Sequence, residues 1–256
     1  MSVALQEVRP VAKRALRTEA PAAVSAPDFC RTCALSSACA MVGYGLPELS
    51  PLYRLMEHLG PYRAGDAVFH QGDVFEAVYA VRSGAVKTRQ LDKDGHEHVL
   101  GFYLPGEVIG LDAIYPAQFP CDAIALEDAQ FCRFSFPAMS LLATRQPAVQ
   151  KHLFRLIGQR LGMRQLLSGD YSADERMAAF LVDLGDRYAA RGFSATQFRL
   201  GMSRGDIASY LCLAAETVSR TLSRFRSQGL IVLRGRALVL QQPETLRALG
   251  KNLLAD

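Results

Sequence analysis

No stretch of this 256-residue chain approaches the ~18 consecutive apolar residues that cross a bilayer. Nor does an apolar stretch of about 7–15 residues follow the basic residues near the N-terminus, as a secretory signal requires. Both absences predict a cytoplasmic protein that does not engage membranes. In that reducing compartment, clustered cysteines bind metal or do redox work more often than they form structural disulfides. A glycine-rich phosphate loop is also missing, which removes the best-marked class of nucleotide-hydrolysing enzymes. Acidic side chains are absent from residues 129–169, where Arg133, Arg145, Lys151, Arg155, Arg160 and Arg164 make the segment uniformly cationic.

What is present is concentrated. Three of the six cysteines fall within CRTCALSSAC, residues 30–39. A net charge of +4 looks bland until it is located. Residues 199–236 hold Arg199, Arg204, Arg220, Arg224, Arg226, Arg234 and Arg236 against only Asp206 and Glu216. A local cationic excess of this kind is the electrostatic footprint of a nucleic-acid-binding surface.

The chain divides into four parts: a mobile tail over 1–28, a cysteine segment with a β-rich sensor domain over 29–146, a helix over 147–170, and a DNA-binding domain over 171–256. From about Pro61 to Phe136, short β-runs are cut by turn signals. AVF (67–69), AVYAV (77–81), AVKTRQL (85–91), HVLGFYL (98–104) and AQFCRFSF (129–136) read as strands of an antiparallel roll. The next segment, opened by Pro147, carries Leu153, Leu156, Ile157, Leu161 and Leu167 at helical spacing. These residues are either an ordinary packed face or a dimer seam, and a long helix between two domains favours the seam.

Ser172 with Glu175 has the spacing of a capping box, so a helix is predicted from there to Ala190. Ser203 with Asp206 repeats that signal and starts a short helix. LCL (211–213) forms a tight turn, AETVSRTLSRFRSQ (215–228) is a second helix, and GLIVLRGRALVL (229–240) closes the chain as a hairpin. Two helices joined by a tight turn and followed by a hairpin make a winged helix-turn-helix. Val218, Leu222 and Phe225 fall on the inward face of the second helix. Glu216, Ser219 and Arg220 fall on another face near its N-terminus. Arginine can grip guanine with two hydrogen bonds, glutamate can accept from an exocyclic amine, and serine serves several bases. Arg204, Arg224, Arg226, Arg234 and Arg236 are candidates for phosphate contact, which supplies affinity and salt dependence rather than sequence discrimination.

The order of cysteine segment, β-roll, long helix and winged helix resembles the Crp/Fnr transcription regulators, specifically the Fnr branch. The resemblance runs from residue 30 onward and is most specific at YAVRSGAVK (79–87), GFYLPGEVIGLDAI (101–114), ERMAAFL (175–181), RGFSATQFRLGMSRGDIASYLCL (191–213) and ETVSRTLSRF (216–225). It implies an α+β chain with an N-terminal cyclic-nucleotide-binding-like β-roll, a long dimerisation helix and a C-terminal winged helix-turn-helix. It further implies a homodimer bound to double-stranded DNA at palindromes with half-sites like TTGAT, contacts with RNA polymerase, and base reading by an E-x-x-S-R pattern. That pattern falls here on Glu216, Ser219 and Arg220.

The same resemblance implies an oxygen-labile 4Fe-4S cluster held by four thiolates. Cys30, Cys33 and Cys39 match the N-terminal C-x2-C-x5-C segment, and Cys132, within ALEDAQFC, matches the fourth ligand. Soft thiolates suit iron–sulfur and zinc alike, so zinc stays open as the alternative. Cys132 can also be read as a core residue that shares a strand face with Phe134 and Phe136. Cys121 is the rival ligand, in an expected loop after Pro120, and Cys212 is expected to be a small buried filler. GEVIG (106–110) resembles part of a nucleotide-binding cassette, but the Arg-Ser or Arg-Thr that holds a cyclic phosphate is replaced near Pro120-Cys121. A buried phosphate without its arginine is uncompensated, which argues against cAMP. An iron–sulfur redox enzyme would leave the arginine-rich winged helix unexplained. His96 and His98 are expected in a solvated hairpin.

Overall fold

The computed structural model describes residues 56–145, 147, 150, 151, 153–158 and 170–254. Cys30, Cys33, Cys39, Arg160, Leu161, Arg164 and Leu167 lie outside the described residues, as does the tail over 1–28.

The roll consists of two antiparallel sheets. One orders β1 (Met56–Tyr62), β8 (Ala129–Ser135), β3 (Ala77–Ser83) and β6 (Val108–Ile109) as β1-β8-β3-β6. The other orders β2 (Ala67–Phe69), β7 (Asp122–Ala125), β4 (Val86–Leu91) and β5 (Glu97–Tyr103) as β2-β7-β4-β5. Alternation along each strand puts Val81, Val86, Ile109, Ala123, Ala129 and Phe131 into the space between the sheets. There Phe69 stacks on Phe119 at 3.8 Å between ring centroids. The β3–β4 connection depends on Gly84, whose φ is 79°. A Cβ there would lie 2.5 Å from the Asp128 carbonyl oxygen, so no other residue fits that turn without moving backbone.

Three strands of the roll lie beyond those expected from the sequence: Met56–Tyr62, Val108–Ile109 and Asp122–Ala125. The roll therefore begins before Pro61. The last β-run ends at Ser135, because Phe136 opens a helix, α1 (Phe136–Arg145). The described residues from 147 to 158 are also helical.

The first-sheet face turned away from the roll interior is covered as well. Val78, Ala80, Val108, Cys132 and Phe134 pack there with Met139 of α1, and Leu153 and Leu156 close over them.

The C-terminal half begins with α2 (Ala173–Ala189), whose capping box joins Ser172 and Glu175. A second capping box, Ser203 with Asp206, starts α3 (Arg204–Leu211), and α4 (Ala215–Ser227) follows. Strands β9 (Gln197–Arg199), β10 (Ile231–Arg234) and β11 (Ala237–Leu240) form a sheet in the order β10-β11-β9. The chain does not close on the hairpin: β9 adds a third strand, and α5 (Pro243–Gly250) packs on α2, where Gly250 abuts Ala179. One apolar core runs from Val99, Phe102 and Leu104 of the roll through Met177, Leu181 and Leu184 to Ile207, Leu222 and Phe225.

Candidate nucleic-acid interface and metal centre

Helix α4 sorts its residues by face. Val218, Leu222 and Phe225 are at most 3 % exposed and anchor the helix. Glu216, Ser219 and Arg220 lie exposed on the opposite side. Arg220 sits 3.5 Å from Glu216, with side chains 67 % and 77 % exposed. An ion pair that open to solvent contributes about 0–1 kcal/mol, so either group can leave it for a base. Ser219 Oγ donates to the Ala215 carbonyl at 3.0 Å and stays exposed, so its acceptor capacity is unused by that bond.

The candidate phosphate-contacting arginines have unlike surroundings. Arg234 and Arg236 are exposed at the wing tip, on either side of Gly235 at φ 60°. Arg226 is exposed on α4. Arg224 instead pairs with Asp174 in the first turn of α2 and donates to Thr221, which ties α4 to the start of α2. Arg204 is half-buried, and desolvation lowers its pKa.

The turn before α4 departs from one expectation. Cys212 is exposed rather than a buried filler. It caps α3 in the left-handed region, at φ 54° and ψ 47°, where a side chain costs about 1–2 kcal/mol. Cys212→Gly should therefore stabilise the fold by about 1 kcal/mol in denaturant titrations. Ala214 is the N-cap of α4 and makes no side-chain hydrogen bond. Ala214→Thr should add ~1 kcal/mol by satisfying an orphan amide. Since Ala214 is none of the candidate base-contacting residues Glu216, Ser219 and Arg220, half-site preference measured by competition binding should not change.

The two buried cysteines of the roll differ in direction. Cys121, 1 % exposed, belongs to the packing between the sheets, with its Sγ 3.8 Å from Asp112 Oδ2. It directly precedes β7 rather than occupying an open loop. Cys132, 3 % exposed, faces the other way, toward α1 and the helical segment at Leu153 and Leu156. Across the ladder it pairs with His58, whose Nδ1 is 3.7 Å from the Cys132 sulfur. Arg82 Nη1 lies 3.4 Å from that same nitrogen. His58 was not legible as a neighbour from the sequence, because only the β1–β8 register brings it there.

Asp92, Asp94 and His96 gather at the β4–β5 turn and are exposed. Hydrogen bonds within the turn, from the His96 amide first, hold the Asp92 carboxyl at a pKa of about 2, and they account for the grouping. Glu107, the carboxylate of GEVIG, is already engaged: Arg187 grips it and Arg191 lies 3.7 Å away.

Residues 175–249 match the Crp-like helix-turn-helix domain, and residues 60–145 match the cyclic nucleotide-binding domain. The chain is 40 % identical over 224 residues to the transcriptional activator protein Anr of Pseudomonas protegens, covering 86 % of this chain and 92 % of that one. It belongs to the Crp/Fnr family of transcription regulators. Among other Crp/Fnr relatives, the anaerobic regulatory protein of Haemophilus influenzae is 38 % identical over 82 % of this chain and 83 % of its own length. The structure of FixK2 from Bradyrhizobium japonicum superimposes with a TM-score of 0.67 at 31 % identity, covering 78 % of this chain and 97 % of that one. As a Crp/Fnr protein it is a DNA-binding transcription regulator and not an enzyme. Among the described residues, no helix is long and apolar enough to cross a membrane.

Proposed function

We propose that this Crp/Fnr regulator senses oxygen or redox state through a 4Fe-4S cluster held by Cys30, Cys33, Cys39 and Cys132, and that it acts as a homodimer on Fnr-like palindromes. The observation that carries the reading is the direction of Cys132. Its thiol lies on the outer face of the first sheet, one ladder position from β1, the strand that the N-terminal segment enters. Cys39 precedes Met56 by seventeen residues, a tether of at most about 55–60 Å, so three thiols on that segment can reach a fourth on this face. Cys121 points into the roll, where such a segment has no path. Four soft thiolates beside an apolar surface suit an iron–sulfur group, and dry surroundings limit solvent access to it. When bound, the cluster would supply an oxygen-labile link between the N-terminal segment and β8. The relatives' names, which include anaerobic regulatory protein and fumarate and nitrate reduction regulatory protein, agree with this reading.

The cluster would be coupled to DNA through the helix that starts at Pro147. Leu153 and Leu156 already rest on the Cys132 face, Ile157 is half-buried, and Phe154 is 65 % exposed. Covering Phe154 and Ile157 with a second copy would complete the seam that Leu161 and Leu167 continue in the sequence. RNA polymerase is the expected partner at promoters. A cyclic-nucleotide ligand is disfavoured, because Glu107 is committed to Arg187.

The deciding experiment is an absorbance spectrum with metal analysis on anaerobically purified protein, repeated after exposure to air. A broad iron–sulfur band that bleaches in air is the expected result. Stoichiometric zinc without iron would replace sensing by a zinc-stabilised regulator.

A further inference from the structure

We propose that Glu107, Arg187, Lys87 and Asp206 are positioning residues for DNA binding: their buried charge pairs lock the winged helix to the roll of the same protomer, so that the reading helix moves only when the roll moves. This rests on the DNA-binding reading above and adds how the DNA-reading head is held.

The first pair is bidentate. Arg187, in the last turn of α2, donates from Nε to Glu107 Oε1 at 2.9 Å and from Nη2 to Oε2 at 2.6 Å. The same Nη2 donates to the Phe102 carbonyl of β5 at 2.6 Å, and Nη1 donates to Asp183 at 3.0 Å. The Arg187 and Glu107 side chains are 15 % and 14 % exposed. Burial works to raise the Glu107 carboxyl, but the Arg187 charge and its hydrogen bonds outweigh it and hold the group below the ordinary carboxylate range.

The second pair grips the helix-turn-helix itself. Lys87 Nζ on β4 donates to Asp206 Oδ1 at 2.5 Å and also pairs with Glu97. Asp206 closes the α3 capping box through its other oxygen, which accepts from the Ser203 amide at 2.8 Å. One carboxylate thus both starts α3 and holds it to the roll. Between the two pairs, Ser209 Oγ accepts from the Val99 amide at 2.8 Å and donates to the Glu97 carbonyl at 3.0 Å. Strand β5 lies at the end of its sheet, so α3 satisfies backbone groups that an edge strand leaves open. A bulge at Leu100 turns both Val99 and Phe102 toward this seam, where Phe102, Phe180 and Tyr210 pack ring to ring.

The lock does not cover the DNA-facing surface. It engages the end of α2 and the first turn of α3, while Arg220 and Glu216 on α4 stay 67 % and 77 % exposed. It therefore holds a binding-competent head and is not an inhibitory contact. In a dimer, two locked heads present their reading helices at one separation. Half-sites repeat about every 34 Å, or ~10 base pairs, so one inserted base pair misplaces a half-site by about 3.4 Å and about 35°. A locked head cannot follow that displacement; a head on a loose tether can.

Removing one partner strands a buried charge, and undocking is the relief open to it. The test uses full-length protein carrying Arg187→Ala, measured by scanning calorimetry and by binding to palindromes with native and one-base-pair-expanded spacing. Unaltered protein is expected to melt the roll and head in one transition and to reject the expanded site. The variant is expected to show two transitions and to lose at least tenfold of its spacing discrimination, with affinity for a duplex bearing one half-site within about threefold. Arg187→Lys should restore part of the discrimination. If Arg187→Ala does not fold, Lys87→Met carries the same two readouts. A folded variant with a single transition and undiminished spacing discrimination overturns the lock. Failure of the unaltered protein to bind either palindrome would instead sink the DNA reading, and the calorimetry would still decide the lock.

Discussion

Cys132→Ser should abolish cluster retention in anaerobically purified protein, while Cys121→Ser should leave the iron content unchanged. Both side chains are almost fully buried, so exposure does not separate them. Direction does. Cys121 is packed between the sheets among Phe69, Phe119 and Phe131, and a cluster there would have to displace aromatic rings. Cys132 occupies the opposite face of the first sheet, beside His58 and under Leu153 and Leu156. Serine is nearly the size of cysteine, so neither change leaves a large cavity, and the effect isolates the thiolate. Cys30→Ser, Cys33→Ser and Cys39→Ser should each match Cys132→Ser, whereas Cys212→Ser, altering an exposed residue of the helix-turn-helix turn, should not. Iron analysis with absorbance on each variant checks this. Loss of the cluster in Cys121→Ser with retention in Cys132→Ser would reverse the assignment.

Arg220→Ala should weaken binding to a cognate palindrome by about 1–3 kcal/mol per half-site and relax discrimination at one base pair. The side chain gives up little to make that contact, since its pairing with Glu216 is solvent-exposed. Arg236→Ala, at the wing tip, should weaken all sequences alike and reduce the salt slope by about 0.9 per half-site, or about 1.8 for a dimer on a palindrome. Arg224→Ala should behave differently from both. It breaks the tie to Asp174 and Thr221, so it should lower thermal stability as well as affinity. Titrations at several salt concentrations on cognate and single-mismatch duplexes separate the three. An Arg220→Ala protein with unchanged mismatch discrimination would remove Arg220 from base reading.

The α+β architecture was legible in the sequence because its signals are local. Capping boxes at Ser172 and Ser203, the apolar spacing of Val218, Leu222 and Phe225, and the turn at Gly235 each depend on residues a few positions apart. Elements without a local signature were not legible. Val108–Ile109 is two residues long. Met56–Tyr62 is broken by Gly60-Pro61. In Asp122–Ala125 all four residues are buried, so the strand shows no alternation. The exposed polar face of α4, the cysteine segment and the arginine-rich wing could all be picked out from composition and spacing alone.

Which residues meet across the chain was decided only by the tertiary structure. Facing Cys132 and Cys121 to opposite sides of a sheet needs the strand registers, and placing His58 against Cys132 needs the β1–β8 pairing. Arg224 looked like any other arginine of the cationic stretch until the packing of α2 set Asp174 against it. Glu107, which the sequence assigned to a remnant of a nucleotide cassette, is consumed by an arginine 80 positions away. Periodicity tells which face of an element is apolar, but charge pairing between elements distant in the chain depends on how they dock, and no local pattern encodes that.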